Sequence, residues 1–375
     1  MRIAIGIHHL RPRGGQEDHC IRIAEALIGR GHDVTLYSSD DAGDLRIPTI
    51  KVPVRGSRAN HASAERFAEE FRSRAGSGYD RRIAFQPTPG VDILFIGADL
   101  RNREDVGLMK RLTPRYRTLV RLEASCFGAG SKVRIAGFST TQMRAFVERY
   151  PDSRQRMAIL PPTLRRDRLR PELRSAGTRA SLRRSFGIHD GETAWLWIGL
   201  QPDIKGLDRV LRALAEDKGS RLLICGLLPE HHKAQRVHAQ IRELGIQDRV
   251  RFMGYLTGEE FLSVLAAADV LAHPARREAS GSAILEAIVS GLPVVATDIC
   301  GFASHVEKSG AGIVLPSPFE PKAFAHALHI AGKELREDFS RRGIAYGADP
   351  SLYSGVDVAC DLIEAEQWPP LRDGL

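Results

Sequence analysis

Residues 2–38 read RIAIGIHHLRPRGGQEDHCIRIAEALIGRGHDVTLYS. The two ends, RIAIGI (2–7) and DVTLYS (33–38), are short apolar runs rich in Ile, Val and Leu, and an amphipathic segment carrying Ile21, Ile23, Ala24 and Leu27 lies between them. Strand, helix, strand in that order builds a parallel sheet with helices on its faces. The alternation recurs at RRIAFQ (81–86), DILFIGA (92–98) and VRIAGF (133–138). It halts at ILPPTLRRDRLRPELRSAGTR (159–179), where a proline pair and clustered arginines show no clear period, and the halt marks a domain boundary. Beyond it come TAWLWIGL (193–200), RLLICGL (221–227), RVRFMGY (249–255), DVLAHP (269–274), LPVVAT (292–297) and GIVLPS (312–317). Two doubly wound α/β domains are therefore expected, over 1–162 and 163–349, with an amphipathic helix at about 350–368 packing back on the first. In such a pair the ligand crevice lies where the carboxyl ends of the two sheets face each other.

The composition agrees with a two-domain chain: 375 residues, 43% hydrophobic and 27% charged, exceed what one core usually supports. No run approaches the ~20 apolar residues of a membrane span, and MRIAIGIHHLRPRGG reaches Arg and Gly too soon for a secretion signal. A cytosolic protein is expected. Five cysteines without a CxxC pair argue against a disulfide framework and against structural zinc. The net charge of +8 calls for an anionic partner, which composition leaves open among nucleotide, nucleic acid and an anionic membrane.

Three stretches carry candidate chemistry. Gly14 and Gly15 stand directly before the first helix, where glycines let backbone approach a ligand and the helix N-terminus offers N–H groups to phosphate. The pair is not a GxGxxG fingerprint, and a tight connection explains it equally. In REASGSAILEAIVSGLPVVAT (277–297) a helix starting near Gly281 puts Glu286 in its second turn and Glu278 in the loop ahead. Both carboxylates, with the amides around Ala279, Ser280, Gly281 and Ser282, can then converge on one ligand. A nucleotide sugar suits that set, its hydroxyls bonding carboxylates and its diphosphate bonding amides. The spacing alone also fits a loop glutamate followed by a solvated helical one. In GLQPDIKGLDRVLRAL (199–214), Lys205 precedes a helix opening at Gly206, where it could meet the developing charge of a leaving diphosphate or simply face solvent.

Asp99 ends the strand DILFIGAD, placed either to position or deprotonate an acceptor hydroxyl or to cap a following helix. Thirteen histidines include no HExxH, and no metal is demanded. Neither a GxSxG elbow nor a GxxxxGK[ST] loop occurs, which disfavours hydrolases and NTPases of those classes. Finally, residues 100–127 interleave Arg101, Arg103, Lys110, Arg111, Arg115, Arg117 and Arg121 with Leu108, Met109, Leu112, Tyr116, Leu119 and Val120. That mixture suits an anionic lipid surface, or else a helix pair whose apolar side is core. With no binding module or aromatic platform beside the charge, no nucleic-acid partner is expected.

Over nearly its whole length the sequence resembles the family 4 retaining glycosyltransferases of the GT-B fold, and among them the heptose α-1,3-glucosyltransferases of the lipopolysaccharide core. The likeness is carried by RPRGGQEDHCIRIAEAL (11–27), NHASAERFAEEF (60–71), RLTPRYR (111–117), AILPPTL (158–164), KGLDR (205–209), LAAADVLAHPARREASGSAILEAIVSGLPV (265–294) and CGFASHV (300–306). The resemblance implies metal-free, cofactor-free transfer of glucose from UDP-glucose to an inner-core heptose of lipopolysaccharide, by a peripheral protein on the cytosolic membrane face. It assigns the leaving phosphate to Lys205 and the amides around Gly281, the glucose hydroxyls to Glu278, and the ribose to Glu286. Gly14 and Gly15 fall beside the diphosphate and sugar, Asp99 lines the acceptor side, and Asn60 and His61 belong to a loop near it. Arg103, Lys110, Arg111, Arg115, Arg117 and Arg121 match the membrane-facing region. One departure stands out: relatives carry arginine beside or shortly before the lysine, whereas Ile204 precedes Lys205 here. Another hexose donor or lipid-linked acceptor, and a non-catalytic nucleotide-sugar-binding protein, are the alternatives this leaves.

Overall fold

The computed structural model describes residues 1–10, 14–41, 43, 45–54 and 60–369. They divide into two units, Met1–Thr163 with Tyr353–Leu375, and Leu164–Leu352. In the first unit the strands are β1 (Arg2–Gly6), β2 (Asp33–Ser38), β3 (Thr49–Lys51), β4 (Arg81–Ala84), β5 (Ile93–Ile96), β6 (Arg134–Gly137) and β7 (Met157–Ile159). Its helices are α1 (Gly15–Gly29), α2 (Asn60–Ala75), α3 (Leu108–Arg111), α4 (Pro114–Phe127) and α5 (Thr140–Arg149). Across the described residues the strands form one parallel sheet in the order β3-β2-β1-β4-β5-β6-β7.

The second unit repeats the plan with β8 (Thr193–Ile198), β9 (Ser220–Cys225), β10 (Val250–Gly254), β11 (Val270–His273), β12 (Val294–Thr297) and β13 (Gly312–Leu315). Here the parallel order is β10-β9-β8-β11-β12-β13. Its helices are α6 (Ala176–Ser185), α7 (Leu207–Glu216), α8 (Ala234–Glu243), α9 (Gly258–Ala267), α10 (Ser282–Val289), α11 (Ala303–Ser309), α12 (Pro321–His329) and α13 (Arg336–Tyr346). The chain then returns to the first unit in α14 (Gly355–Glu364).

Strand alternation decides the two faces of the first sheet. Ile3 and Ile5 of β1 pack with Ile23 and Leu27 of α1 and with Ala359 and Ile363 of α14, while Ala4 turns to Phe67 and Phe71 of α2 and Phe146 of α5. Apolar side chains on both faces explain why these strands read as near-continuous hydrophobic runs. The sequence pattern misses β3 and β7. Both are three-residue edge strands, bonded on one side only, and carry no apolar run long enough to register.

The arginines of the 159–179 pause belong to the second unit and have specific partners there. Arg174 donates to the carbonyls of Leu265 and Ala266 at the end of α9, and Arg179, Arg183 and Arg336 surround the buried Asp269. Burial pushes the Asp269 carboxyl up, but Arg179 and Arg183 outweigh it and the group ends below its usual range.

Candidate functional site

In a doubly wound sheet a ligand site forms where the strand order reverses, because the loops leaving the two strands there part in opposite directions. The second unit reverses between β8 and β11. Lys205 lies in the loop after β8 and Glu278 in the loop after β11, and their side chains form an ion pair across 73 positions of sequence.

Close backbone contact brings the loops together. Gly206 caps α7 at φ +69°, and a Cβ there would stand 2.0 Å from the Pro274 carbonyl oxygen. Trp197 Nε1 donates to the Lys205 carbonyl at 3.1 Å, and the Arg276 N–H donates to the Ile204 carbonyl at 2.8 Å. The Arg276 guanidinium donates to the Asp203 carbonyl and grips both oxygens of Asp208 at 2.6 and 2.7 Å. An arginine thus stands beside Ile204 in space, engaged with the loop and with Asp208.

Glu278 is fixed just as firmly. It bridges to Cys300, its carbonyl accepts from the Gly301 N–H at 3.0 Å, and the Ser280 carbonyl accepts from the Phe302 N–H at 2.7 Å. Gly281, at φ +94°, turns the chain into α10, whose first residue Ser282 is exposed while Ala279 is buried. Glu286 sits one turn further in, 3.4 Å from Arg168 Nε. The Arg168 guanidinium also lies over the Phe261 ring, 5.3 Å from its centroid.

The Glu278 carboxylate has a second cationic neighbour. His273, the fully buried last residue of β11, places Nε2 3.3 Å from the Oε2 atom that also takes Lys205. Burial pushes Glu278 up, yet His273 and Lys205 outweigh it and hold the carboxyl at about 2. Burial likewise lowers His273, but contacts with Cys300 and Glu278 outweigh it and raise the imidazole to about 9. A carboxylate so held is a strong acceptor for sugar hydroxyls. Nearby, Lys205 offers a charge on a flexible stem and the start of α10 offers backbone donors.

In the first unit, Gly14 is the N-cap of α1 with extended backbone, and Gly15 opens the helix. Residues 11–13 of the same turn lie outside those described. Asp99 is half-buried in the loop after β5, and the next helix begins only at Leu108, so it does not cap one as the sequence allowed. The buried Gln142 fixes the strand end ahead of it, donating to the Ile96 and Ala98 carbonyls at 2.8 and 2.9 Å and accepting from the Phe138 N–H. Asn60 and His61 form the start of α2 rather than a loop, because Phe67, Ala68, Phe71 and Ala75 give 60–75 a buried helical face.

The 100–127 stretch splits in two. Leu108 is 73% exposed, Met109 80% and Leu112 51%, so these side chains are not core. Lys110, Arg115 and Arg117 are exposed beside them and form no ion pair among the described residues. The other three expected surface cations have partners within the chain. Arg103 pairs with Asp105, Arg121 pairs with Glu65, and Arg111 donates to the carbonyls of Val106, Arg103 and Glu104. Buried Glu123 ties the segment down by accepting from the N–H groups of Arg101 and Asn102 and from the Tyr150 hydroxyl.

His273, Arg168, Gln142 and Glu123 are absent from the sequence-based site. His273 alone left a local signal, as a polar residue closing the apolar strand VLAH.

Comparison with known proteins follows the same lines. Residues 179–345 match the family model described as glycosyl transferases group 1. The chain is 31% identical over 378 residues to the lipopolysaccharide glucosyltransferase WaaG of Escherichia coli strain K12, covering 97% of this chain and 98% of that protein. The crystal structure of WaaG, a glycosyltransferase involved in lipopolysaccharide biosynthesis, superposes with a TM-score of 0.87 at 28% identity, over 96% of this chain and 99% of that one. Anabaena Alr3699/HepE in complex with UDP-glucose superposes with a TM-score of 0.74 at 17% identity, over 96% and 98%, a likeness of fold.

Proposed function

This chain belongs to the group 1 glycosyl transferases, and from that premise we propose that it moves glucose from UDP-glucose to an inner-core heptose of lipopolysaccharide. It is a hexosyltransferase of the retaining GT-B type. The observation that carries the donor assignment is the pairing of Lys205 with Glu278 at the switch point, directly ahead of α10 and Glu286.

In this reading the second unit takes the donor. Glu278 bonds the glucose hydroxyls, Glu286 bonds the ribose, and Lys205 with the amides around Gly281 neutralises the diphosphate as the glycosidic bond breaks. Positive charge aimed at a developing anion in a site of low dielectric is the kind of interaction that lowers a barrier most. With a lysine and helix amides to serve the phosphate, the transfer needs no metal ion. Gly14 and Gly15 are assigned to the diphosphate and sugar, and Asp99, Asn60 and His61 to the acceptor. Retention follows from front-face displacement, in which the leaving phosphate accepts the acceptor proton. A covalent glycosyl adduct trapped on Asp99 or Glu278 would overturn that step.

The first unit is proposed to rest on the cytosolic face of an anionic inner membrane through Leu108, Met109, Leu112, Lys110, Arg115 and Arg117. Apolar side chains enter the headgroup boundary while cations meet lipid phosphates. No described helix is long and apolar enough to cross a membrane.

The deciding experiment measures UDP release from a panel of nucleotide sugars, with and without a heptose-terminated core acceptor. Acceptor-dependent release from UDP-glucose is the expected result. Release from another nucleotide hexose only would reassign the donor, and release with another lipid-linked acceptor only would reassign the acceptor. UDP binding without release from any donor would favour a non-catalytic binding protein, and Ile204 is the residue that would then be suspect.

A further inference from the structure

Lys205 and His273 contact the same oxygen of Glu278, and they differ in freedom. The lysine side chain is 25% exposed, on a flexible stem in the loop ahead of α7. His273 has no exposed surface and closes a central strand of the sheet, so it cannot leave without disturbing β11. Both contacts fall on Oε2, and Glu278 Oε1 accepts no hydrogen bond among the described residues. A lysine bound to Glu278 is not bound to a phosphate. With the lysine withdrawn, the nearly buried Glu278 carboxylate keeps one cationic neighbour, His273, and without that neighbour it would be an uncompensated buried charge, which is costly.

We propose that donor binding moves Lys205 from Glu278 onto the leaving diphosphate, and that His273 is the fixed partner that keeps Glu278 ionised and aimed once the lysine has gone. The inference rests on the donor roles given above to Lys205 and Glu278. His273 is a positioning residue: it touches neither substrate nor reacting atoms and acts through Glu278. The charged and titratable groups facing it are Glu278, Lys205 and Cys300. Its elevated pKa agrees with a proton that stays on the imidazole near neutrality. No covalent step is involved, and the lysine exchanges one anionic partner for another.

UDP tests the exchange because it carries the diphosphate and no hexose, so loss of a sugar contact at Glu278 cannot confuse the result. Calorimetric titration at neutral pH would compare the wild type with Glu278→Gln, His273→Gln, the double variant and Lys205→Met. Neutralising Glu278 frees the lysine, so Glu278→Gln is expected to bind UDP several-fold more tightly than the wild type. His273→Gln leaves Glu278 dependent on Lys205 and is expected to bind UDP about tenfold more weakly, by the usual size of such a coupling. In the double variant the lysine has no anionic competitor, and affinity should return to the Glu278→Gln value. A packing role for His273 would not show that rescue.

The proposal falls if Glu278→Gln binds UDP no more tightly than the wild type, or if the double variant stays as weak as His273→Gln. Should thermal melting show that His273→Gln does not fold, the Glu278→Gln arm decides alone. Lys205→Met separates the two layers of the argument. Wild-type UDP affinity in that variant would remove Lys205 from the phosphate and sink the underlying donor assignment. Weakened affinity there, with no gain in Glu278→Gln, would leave the donor assignment standing and sink only the exchange.

Discussion

Two regions break the ordinary rule of burial in opposite senses. At the switch point of the second unit, charged groups are sequestered: Glu278 and His273 lie against Lys205 with little or no exposed surface. At residues 108–112 of the first unit, large apolar side chains stand in solvent beside free cations. Neither arrangement favours folding by itself, since buried charge loses hydration and exposed apolar surface gains nothing. Each would become favourable with the partner proposed for it, a nucleotide sugar in one place and an anionic bilayer in the other. The contrast also predicts how each responds to substitution: the buried site should fail through turnover, the exposed one through partitioning.

The largest effect is expected at Glu278. Glu278→Gln keeps the shape and removes the charge, and steady-state turnover with UDP-glucose should fall by about two to three orders of magnitude, the usual range for deleting one preorganised electrostatic contact. A fall of only a few-fold would mean that the buried charge serves the fold rather than the reaction. Next comes the exposed region. Replacing Lys110, Arg115 and Arg117 together with Glu should weaken sedimentation with anionic vesicles by at least about a hundredfold at low salt, given on the order of 1 kcal/mol per cation. Catalysis on a detergent-dispersed acceptor should be unaffected. Arg111 is left out of this variant because its guanidinium holds the carbonyls of Val106, Arg103 and Glu104. Unchanged vesicle binding would remove the membrane from the account.

Stability against pH probes the buried charges without any ligand. His273 is raised from 6.5 to about 9, so its contribution is fully present below pH 6.5 and is lost as pH rises through 9. Glu278 is lowered from 4.5 to about 2, so its contribution is present above pH 4.5 and is lost as pH falls through 2. Between pH 7 and 8.5 the wild type should therefore lose on the order of 1 to 2 kcal/mol relative to His273→Gln, a few degrees in melting temperature. Parallel melting curves for the two proteins across that range would show that the imidazole carries no proton to lose.

Legibility in the sequence followed the range of the interaction. The positions of Glu278, Glu286 and Lys205 beside helix starts were readable because each stands at a short, fixed offset from a glycine that starts a helix, whereas the roles proposed for them came only with the family resemblance. The parallel sheets were readable because strands covered on both faces must be apolar throughout, and edge strands β3 and β7 escaped for the converse reason. His273 and Arg168 acquire meaning only through partners that the fold supplies. The 108–112 stripe was visible, but a stripe has the same spacing whether it faces core or solvent, and only the packing of α4 through Leu122, Cys126 and Phe127 shows which side is buried.

Arg168 offers the smallest and most discriminating test, because it lies in the arginine-rich pause to which the sequence assigned no chemistry. Its guanidinium lies over Phe261, and its Nε forms an ion pair with Glu286 at 3.4 Å without a hydrogen bond. The two glutamates differ in what surrounds them. Glu278 shares one oxygen between two cations, whereas Arg168 approaches Glu286 from a turn at the start of the second unit. If Glu286 binds the ribose in ground state and transition state alike, Arg168→Gln should raise the KM for UDP-glucose about three- to tenfold and leave kcat nearly unchanged, the signature of lost uniform binding. A fall in kcat of the same size as the change in kcat/KM would instead place Arg168 and Glu286 among the groups that act in the transition state, and the division of labour between the two carboxylates would have to be redrawn.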